Sequence, residues 1–204
     1  MTTEETAASY DAIADHWNSD EFNRENGIDQ HRRAIRFLAN HGDAIDIGCG
    51  SSGRFIDLLL EHGFAVEGLD LSAEMLQHAR ARHPEVGFHQ ADIVTWDFPK
   101  RYDFISAWDS IWHVPLSFQQ PVLEKLCSAL KPVGVLIFTS GGVDEPGEVT
   151  NPCHGQPLYH SALGIPKLLE IATQQDCVCR HLEYDQPEDN DPGKHLYLIF
   201  QKGR

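Results

Sequence analysis

Ala44-Ile45-Asp46-Ile47-Gly48-Cys49-Gly50-Ser51-Ser52-Gly53-Arg54-Phe55 is the stretch on which the fold turns. A short apolar run suited to a buried strand stops in glycines, and a helical pattern carrying Phe55, Leu58 and Leu59 starts immediately beyond them. Glycine permits a tight turn and lets main chain come close to a ligand, while the first N–H groups of the following helix point at whatever is bound. Gly48, Gly50 and Gly53 have the spacing G-x-G-x-x-G. Asp70 ends the next apolar run, twenty-two residues after Gly48, where a carboxylate can accept hydrogen bonds from both hydroxyls of a ribose. The loop points to an adenosine-bearing ligand.

Outward from this loop, strand-like runs at Ala44–Gly48, Ala65–Asp70, Val86–Gln90, Tyr102–Ala107 and Gly134–Thr139 alternate with helical patterns at Gly53–His62, Ser72–His83 and Gln119–Leu130. Such alternation implies an α/β fold, a mainly parallel, doubly wound, Rossmann-like sheet covered by helices on both faces. Two helical segments, Glu4–Trp17 and Asp29–Ala39, precede the first strand and are joined by a polar stretch with Asn18, Ser19, Asp20 and Gly27; they read as a cap over the sheet edge. After the fifth strand, Ser140–Pro157 reads as a Gly- and Pro-rich loop, followed by a helix at Ile165–Gln174. Two alternating strands, Cys177–Tyr184 and His195–Gln201, then form an antiparallel hairpin across an acidic, mobile loop, Asp185–Lys194. The expected organisation is one domain: a helical cap over 1–40, a cofactor-binding core over 41–140, and a substrate loop with terminal hairpin over 141–204.

With 204 residues, 41% hydrophobic and 23% charged, the chain has globular composition and is long enough for a substantial core. Its net charge of −15 opposes nucleic acid and anionic membrane, and no basic run exceeds His31-Arg32-Arg33. No apolar run approaches the roughly 20 residues of a membrane span, and the first residues, Met1 to Glu5, are acidic where a signal peptide is basic, so a cytoplasmic protein is expected. The five cysteines have no disulfide-framework spacing. Cys153, His154 and His160 lie close in sequence, but in a turn-rich stretch, and no metal is expected there.

Nicotinamide dinucleotides and S-adenosylmethionine both carry adenosine. Asp46, two residues before the first glycine, opposes a pyrophosphate but tolerates a sulfonium or ammonium ligand. Asp92, just after the third strand, can accept a hydrogen bond from an adenine amino group, and the two terminal strands exceed the minimal dinucleotide fold. At these residues the chain resembles the class I S-adenosylmethionine-dependent methyltransferases of small-molecule type. Asp46-Ile47-Gly48-Cys49-Gly50 looks like their first motif, Val66-Glu67-Gly68-Leu69-Asp70-Leu71-Ser72-Ala73-Glu74-Met75-Leu76 their second, and Leu130–Phe138 their fifth-strand region. The resemblance implies a seven-stranded sheet with a terminal antiparallel hairpin, and S-adenosylmethionine as cofactor with S-adenosylhomocysteine as product. It implies that Gly48 and Gly50 line the methionine part, Asp70 the ribose, Met75 and Ile93 the adenine faces, and Asp92 the adenine amino group, within a set completed by Asp46, Ser51, Ser52, Leu71 and Trp108. Where the family continues Gly-x-Gly-x-Gly, this chain has Ser52, with glycine one place later at Gly53.

Methyl transfer from a sulfonium is an in-line displacement whose leaving group needs no proton, so positioning supplies much of the acceleration. Trp108-Asp109-Ser110-Ile111-Trp112-His113-Val114-Pro115 follows the fourth strand, at the carboxyl end of the sheet where such sites are built. His113 is the first candidate base and Asp109 the second. This stretch lacks the Asn/Asp-Pro-Pro-aromatic motif of amino-methylating nucleic-acid enzymes and the Pro-Cys nucleophile of cytosine C5 enzymes, which leaves a small-molecule acceptor. Trp17, Phe22, Trp108, Trp112 and Tyr159 are candidate apolar walls, and Arg24, Arg32 and Arg33 candidate partners for a carboxylate. A non-catalytic S-adenosylmethionine-binding module and an NAD-dependent oxidoreductase are the alternatives. A monomer or homodimer is expected.

Overall fold

The computed structural model describes residues 1–19, 22–185 and 195–204. In chain order its helices and strands are α1 (Thr3–Ala12), α2 (Ala14–Trp17), α3 (Ile28–Ile35), β1 (Asp43–Ile47), α4 (Arg54–Glu61), β2 (Ala65–Asp70), α5 (Ala73–Arg82), β3 (Gly87–Gln90) and β4 (Tyr102–Ala107). A 3₁₀ turn (Ile111–His113) then leads to α6 (Leu116–Ser128), β5 (Leu130–Gly141), β6 (Gly147–Cys153), β7 (Gln156–Ala162), α7 (Ile165–Gln174), β8 (Cys177–Tyr184) and β9 (His195–Lys202). Seven strands form one sheet in the order β3-β2-β1-β4-β5-β9-β8, parallel except for β9, which runs antiparallel to both β5 and β8. The strand order reverses between β1 and β4, and a crevice opens there beyond the carboxyl ends of the strands.

Alternation along the central strands divides the core in two. Ile45, Ile105, Leu136 and Leu198 face α6 and α7, whereas Ala44, Phe104, Val135 and Tyr197 face α3 and α4. Burial on both faces is why these strands read as nearly continuous apolar runs. Asp46 falls on the α3 and α4 face, opposite Ser106 of β4, and is only 2% exposed.

Two sequence expectations are corrected here. The segment read as a loop from Ser140 to Pro157 holds most of a second, two-stranded sheet, β6 paired with β7. Proline is no obstacle in a two-stranded ribbon, where every strand is an edge, and Pro152 sits directly across from Pro157. His154 and Gly155 make the turn with φ of 46° and 81°, the left-handed pair that a two-residue hairpin requires. The second correction concerns α6, which starts at Leu116 rather than Gln119 and ends at Ser128, with Pro121 inside the helix. The cap helix expected over Glu4–Trp17 is split at Ile13 into α1 and α2. Beyond Asp185, the loop expected up to Lys194 lies outside the described residues, as does Asp20 of the polar joint.

Candidate active site

A cavity of about 470 Å³ opens above β1, β2 and β4, with α1, the Ile111–His113 turn, the β6–β7 ribbon and the start of β9 around its rim. Its floor is main chain. Gly48, Gly50 and Gly53 all have left-handed φ, 69°, 57° and 65°. At Gly48 a side chain has no room: a Cβ there would stand 2.3 Å from Cβ of Ser110, so the closeness of the β1 and β4 loops depends on this glycine. A Cβ at Gly50 would meet nothing within 4 Å. Asp70 accepts hydrogen bonds from the N–H groups of Gly50 (2.8 Å) and Ser72 (2.9 Å), which ties the glycine loop to the end of β2. Burial raises its pKa, against the pull of those N–H groups.

Leu71, Met75, Ala91 and Ile93 form an apolar slot beside Asp70. Asp92 lies at its far end, one oxygen accepting from the N–H of Val94 (2.8 Å) and the other from the hydroxyl of Thr3 on α1. At the opposite end Arg54 donates to the Asn26 carbonyl (2.9 Å) and to Ser52 Oγ (3.1 Å), and its guanidinium lies over Phe22 and Phe55 at 4.8 and 4.3 Å. Ser51 Oγ and Trp108 Nε1 are buried on the cavity wall with no hydrogen-bond partner among the described residues, an arrangement that asks for a polar ligand.

Every predicted cofactor-binding and catalytic residue lines the cavity except Asp46. Asp46 lies one layer below, where burial lifts its pKa to about 7 and the hydrogen bond from Ser106 opposes the rise. Ser106 also contacts the fully buried His31, whose Nε2 is 3.0 Å from Ser106 Oγ. Asp46 thus supports the loop from behind. Among the predicted walls, Tyr159 points away: its hydroxyl donates to Glu148 and accepts from the N–H of Leu116, and only its carbonyl turns toward the site. Arg24, Arg32 and Arg33 do not reach the cavity; they pair with Asp57, Asp29 and Glu183. The arginine at the site is Arg54, adjacent in sequence to the glycine loop.

The chamber above the floor is built from side chains. Gln119 anchors its turn by donating to the Ile111 carbonyl (2.8 Å) and to Ser161 Oγ (2.9 Å) of β7. His113, the expected base, is held on both nitrogens: Nδ1 is 2.6 Å from the Tyr159 carbonyl, and Nε2 is 2.7 Å from the Tyr10 hydroxyl and 3.0 Å from Trp112 Nε1. With Nδ1–H donating to the carbonyl, the Nε2 lone pair faces two donors. Burial lowers the His113 pKa to about 4, so the ring is neutral near pH 7. The same burial, together with the charge of Asp109, pushes the Tyr10 hydroxyl up, keeping it a proton donor.

Asp109 adopts a left-handed φ of 50°, and its N–H donates to Thr139 Oγ1 (2.8 Å). One carboxylate oxygen is 2.9 Å from Nε2 of His195, whose other nitrogen contacts Asp185. Burial works to lower the pKa of His195, but hydrogen bonds to Asp109 and Asp185 outweigh it and hold the imidazolium to about 9. Sequence reasoning missed His195, Tyr10 and Arg54, and weighed His160 only as a metal ligand. Only Arg54 carried a local signal, its place just after the glycines. His154 of the ribbon turn lies against His16, the rings tilted by 41° with centres 3.7 Å apart, and among the described residues no three His, Cys, Asp or Glu side chains are grouped to hold a metal ion.

Residues 44–134, which contain the glycine loop, Asp70, Asp92, Asp109 and His113, match the family model of the methyltransferase domain. Over these residues the chain is similar to methyltransferase domains. The chain is 35% identical over 113 residues to a trans-aconitate 2-methyltransferase of Rhizobium rhizogenes, a match spanning 54% of this chain and 41% of that protein. It is 29% identical over 120 residues to the dTDP-3-amino-3,6-dideoxy-alpha-D-glucopyranose N,N-dimethyltransferase of Streptomyces fradiae, spanning 54% of this chain and 47% of that one. The chain thus covers less than half the length of each of these relatives. The crystal structure of the N-methyltransferase NodS from Bradyrhizobium japonicum, in complex with S-adenosyl-L-homocysteine, superposes with a TM-score of 0.72 at 16% identity, covering 100% of both chains. The likeness of fold therefore extends from the cap to β9.

Proposed function

We propose that this protein transfers a methyl group from S-adenosylmethionine to a small organic molecule by in-line displacement. The observation that carries the reading is one continuous cavity with two unlike halves: a main-chain floor with a ribose-competent carboxylate, and an aromatic chamber above it. Asp70 takes the ribose hydroxyls. Met75 and Ile93 flank the adenine, with Leu71 beside them, and Asp92 accepts from its amino group through the lone pairs left by Val94 and Thr3. Gly48, Gly50, Ser51 and Ser52 present N–H and hydroxyl groups to the methionine part, and Arg54 meets its carboxylate. When bound, the cofactor supplies a methyl group on a sulfonium that departs as a neutral thioether.

The chain's own contribution is to hold the acceptor in line with that methyl and to exclude water. His113 acts here as a positioning residue that fixes Tyr10 and Trp112, since its lone pair is already engaged. A net charge of −15 supports a protein that takes no nucleic acid, and no helix among the described residues is long and apolar enough to cross a membrane. The reading includes a cytoplasmic monomer or homodimer.

Calorimetric titration with S-adenosylmethionine, S-adenosylhomocysteine and NAD tests the proposal. Micromolar binding of the first two and none of NAD is expected; binding of NAD alone overturns it in favour of hydride chemistry.

A further inference from the structure

The acceptor chamber has an unusual charge balance, and the balance speaks to the acceptor. The cavity wall holds two cations among its described residues, Arg54 and His195, and both are engaged. Arg54 sits at the glycine-loop end, bonded to Asn26 and Ser52. His195 has one nitrogen on Asp109 and the other on Asp185. Two carboxylates around one imidazolium leave a net negative charge, and among the described residues only the Asp109 oxygen facing His195 has a side-chain hydrogen-bond partner. Its side chain keeps 30% exposure, toward a space walled by Trp17, Trp108, Trp112 and Tyr10. His113 and His160 beside it are both depressed by burial and add no positive charge near neutral pH.

We propose that the acceptor is an amine on a compact apolar or aromatic frame, that its ammonium docks on the Asp109 carboxylate among these aromatic rings, and that its nitrogen receives the methyl group. The inference rests on the methyl-transfer reading above and names the class of substrate. A carboxylate or phosphate acceptor meets a negative chamber with no unengaged cation among the described residues, whereas an ammonium gains a charge-assisted hydrogen bond and aromatic faces. An alcohol acceptor needs a base to draw off its proton as it attacks, and the His113 lone pair is taken by Tyr10 and Trp112. An amine needs no base during the attack: once its ammonium has shed a proton, its own lone pair suffices. The bound ammonium first loses one proton to solvent through the exposed side of Asp109. The neutral nitrogen then attacks the methyl carbon, the N–C bond forms as the C–S bond breaks, and that electron pair stays on sulfur as a neutral thioether. The product is an N-methylammonium, which keeps its charge opposite Asp109. His195 is a positioning residue here, fixing the direction of that carboxylate.

The test compares isosteric probes on the protein saturated with S-adenosylhomocysteine: benzylamine, phenethylamine and cyclohexylmethylamine, each against its matched alcohol and carboxylate, by calorimetry. Turnover of the same nine compounds with tritiated S-adenosylmethionine runs in parallel. At least about tenfold tighter binding of amines than of their partners is expected, with tritium found in the N-methyl product. Asp109→Asn keeps an oxygen for His195, and it should erase that preference while S-adenosylhomocysteine affinity stays within about twofold. Equal or tighter binding of carboxylates or alcohols, or an amine preference that survives Asp109→Asn, overturns the inference and leaves the cofactor reading standing. Failure of S-adenosylhomocysteine to bind overturns both. If Asp109→Asn does not fold, the wild-type isostere series decides alone.

Discussion

The floor and the roof of the cavity solve the same problem, fixing polar groups at the carboxyl ends of a sheet, with different materials. The floor uses backbone: left-handed glycines, N–H groups on Asp70, and a loop closed onto β4 so tightly that Gly48 cannot carry a side chain. The roof uses long side chains brought together from distant segments, Tyr10 on His113 and His195 on Asp109, 103 and 86 residues apart in sequence. A backbone device tolerates little variation at any position, because a Cβ or a changed φ alters the whole loop. A side-chain device can be rewritten one residue at a time on an unchanged frame, and acceptor choice belongs in that half.

The largest effect expected of a single change is therefore in the floor. Gly48→Ala forces a Cβ against Ser110 at unfavourable φ and should destabilise the fold by about 2–4 kcal/mol in urea denaturation, against about 1–2 for Gly50→Ala, where only the φ penalty applies. Equal losses at both glycines would mean that the packing of β1 on the β4 loop is not what makes Gly48 special. Next, Asp70→Ala should weaken S-adenosylmethionine binding by about 1.5–3 kcal/mol, on the order of 10- to 100-fold. Unchanged affinity by calorimetry would remove the ribose assignment.

Roof substitutions should be smaller and leave the cofactor alone. His195 has a folded-state pKa raised to about 9, so its contribution is complete below its ordinary value near 6.5 and is lost as pH rises through the folded value. Melting temperature should thus fall between pH 7 and pH 9, by an amount worth up to about 2 kcal/mol, and fall less in His195→Gln. Parallel wild-type and variant curves over that range would show that Asp109 and Asp185 do not hold His195 as an imidazolium. The smallest effect is assigned to Tyr10→Phe, about 1 kcal/mol of stability from the lost hydrogen bond to His113, with S-adenosylhomocysteine affinity unchanged. A large loss of cofactor affinity in that variant would erase the distinction between floor and roof.

The two halves were also unequally legible in the sequence. Gly48, Gly50, Asp70, Met75 and Asp92 lie within one continuous stretch whose strand-turn-helix pattern is local, and each lines the cavity. Asp46 was readable as an acid beside the loop, but strand alternation turns it to the layer below, paired across to Ser106. Nothing local marks Tyr10 or His195, because their partners are set by the docking of α1 and by the antiparallel placement of β9. The β6–β7 ribbon was hidden by Pro152 and Pro157, residues that argue against a strand in a larger sheet but sit comfortably opposite each other in an isolated pair. The arginines of the cap, Arg24 and Arg33, pair with carboxylates on the surface, while Arg54 follows the glycines directly.

The position of β9 has a consequence for the order of assembly. It pairs with β5 over seven residues, Val135 to Gly141 against Gln201 to His195, and lies between β5 and β8. Closing so long a loop is slow relative to the local β1-α4-β2 unit, so the glycine floor can form early while the sheet still lacks its sixth strand in spatial order. His195 arrives with that strand. A partly folded chain can then present the ribose carboxylate and the glycine loop well before the aspartate of the acceptor chamber has its imidazolium, and slow refolding should appear as cofactor binding that recovers ahead of acceptor binding.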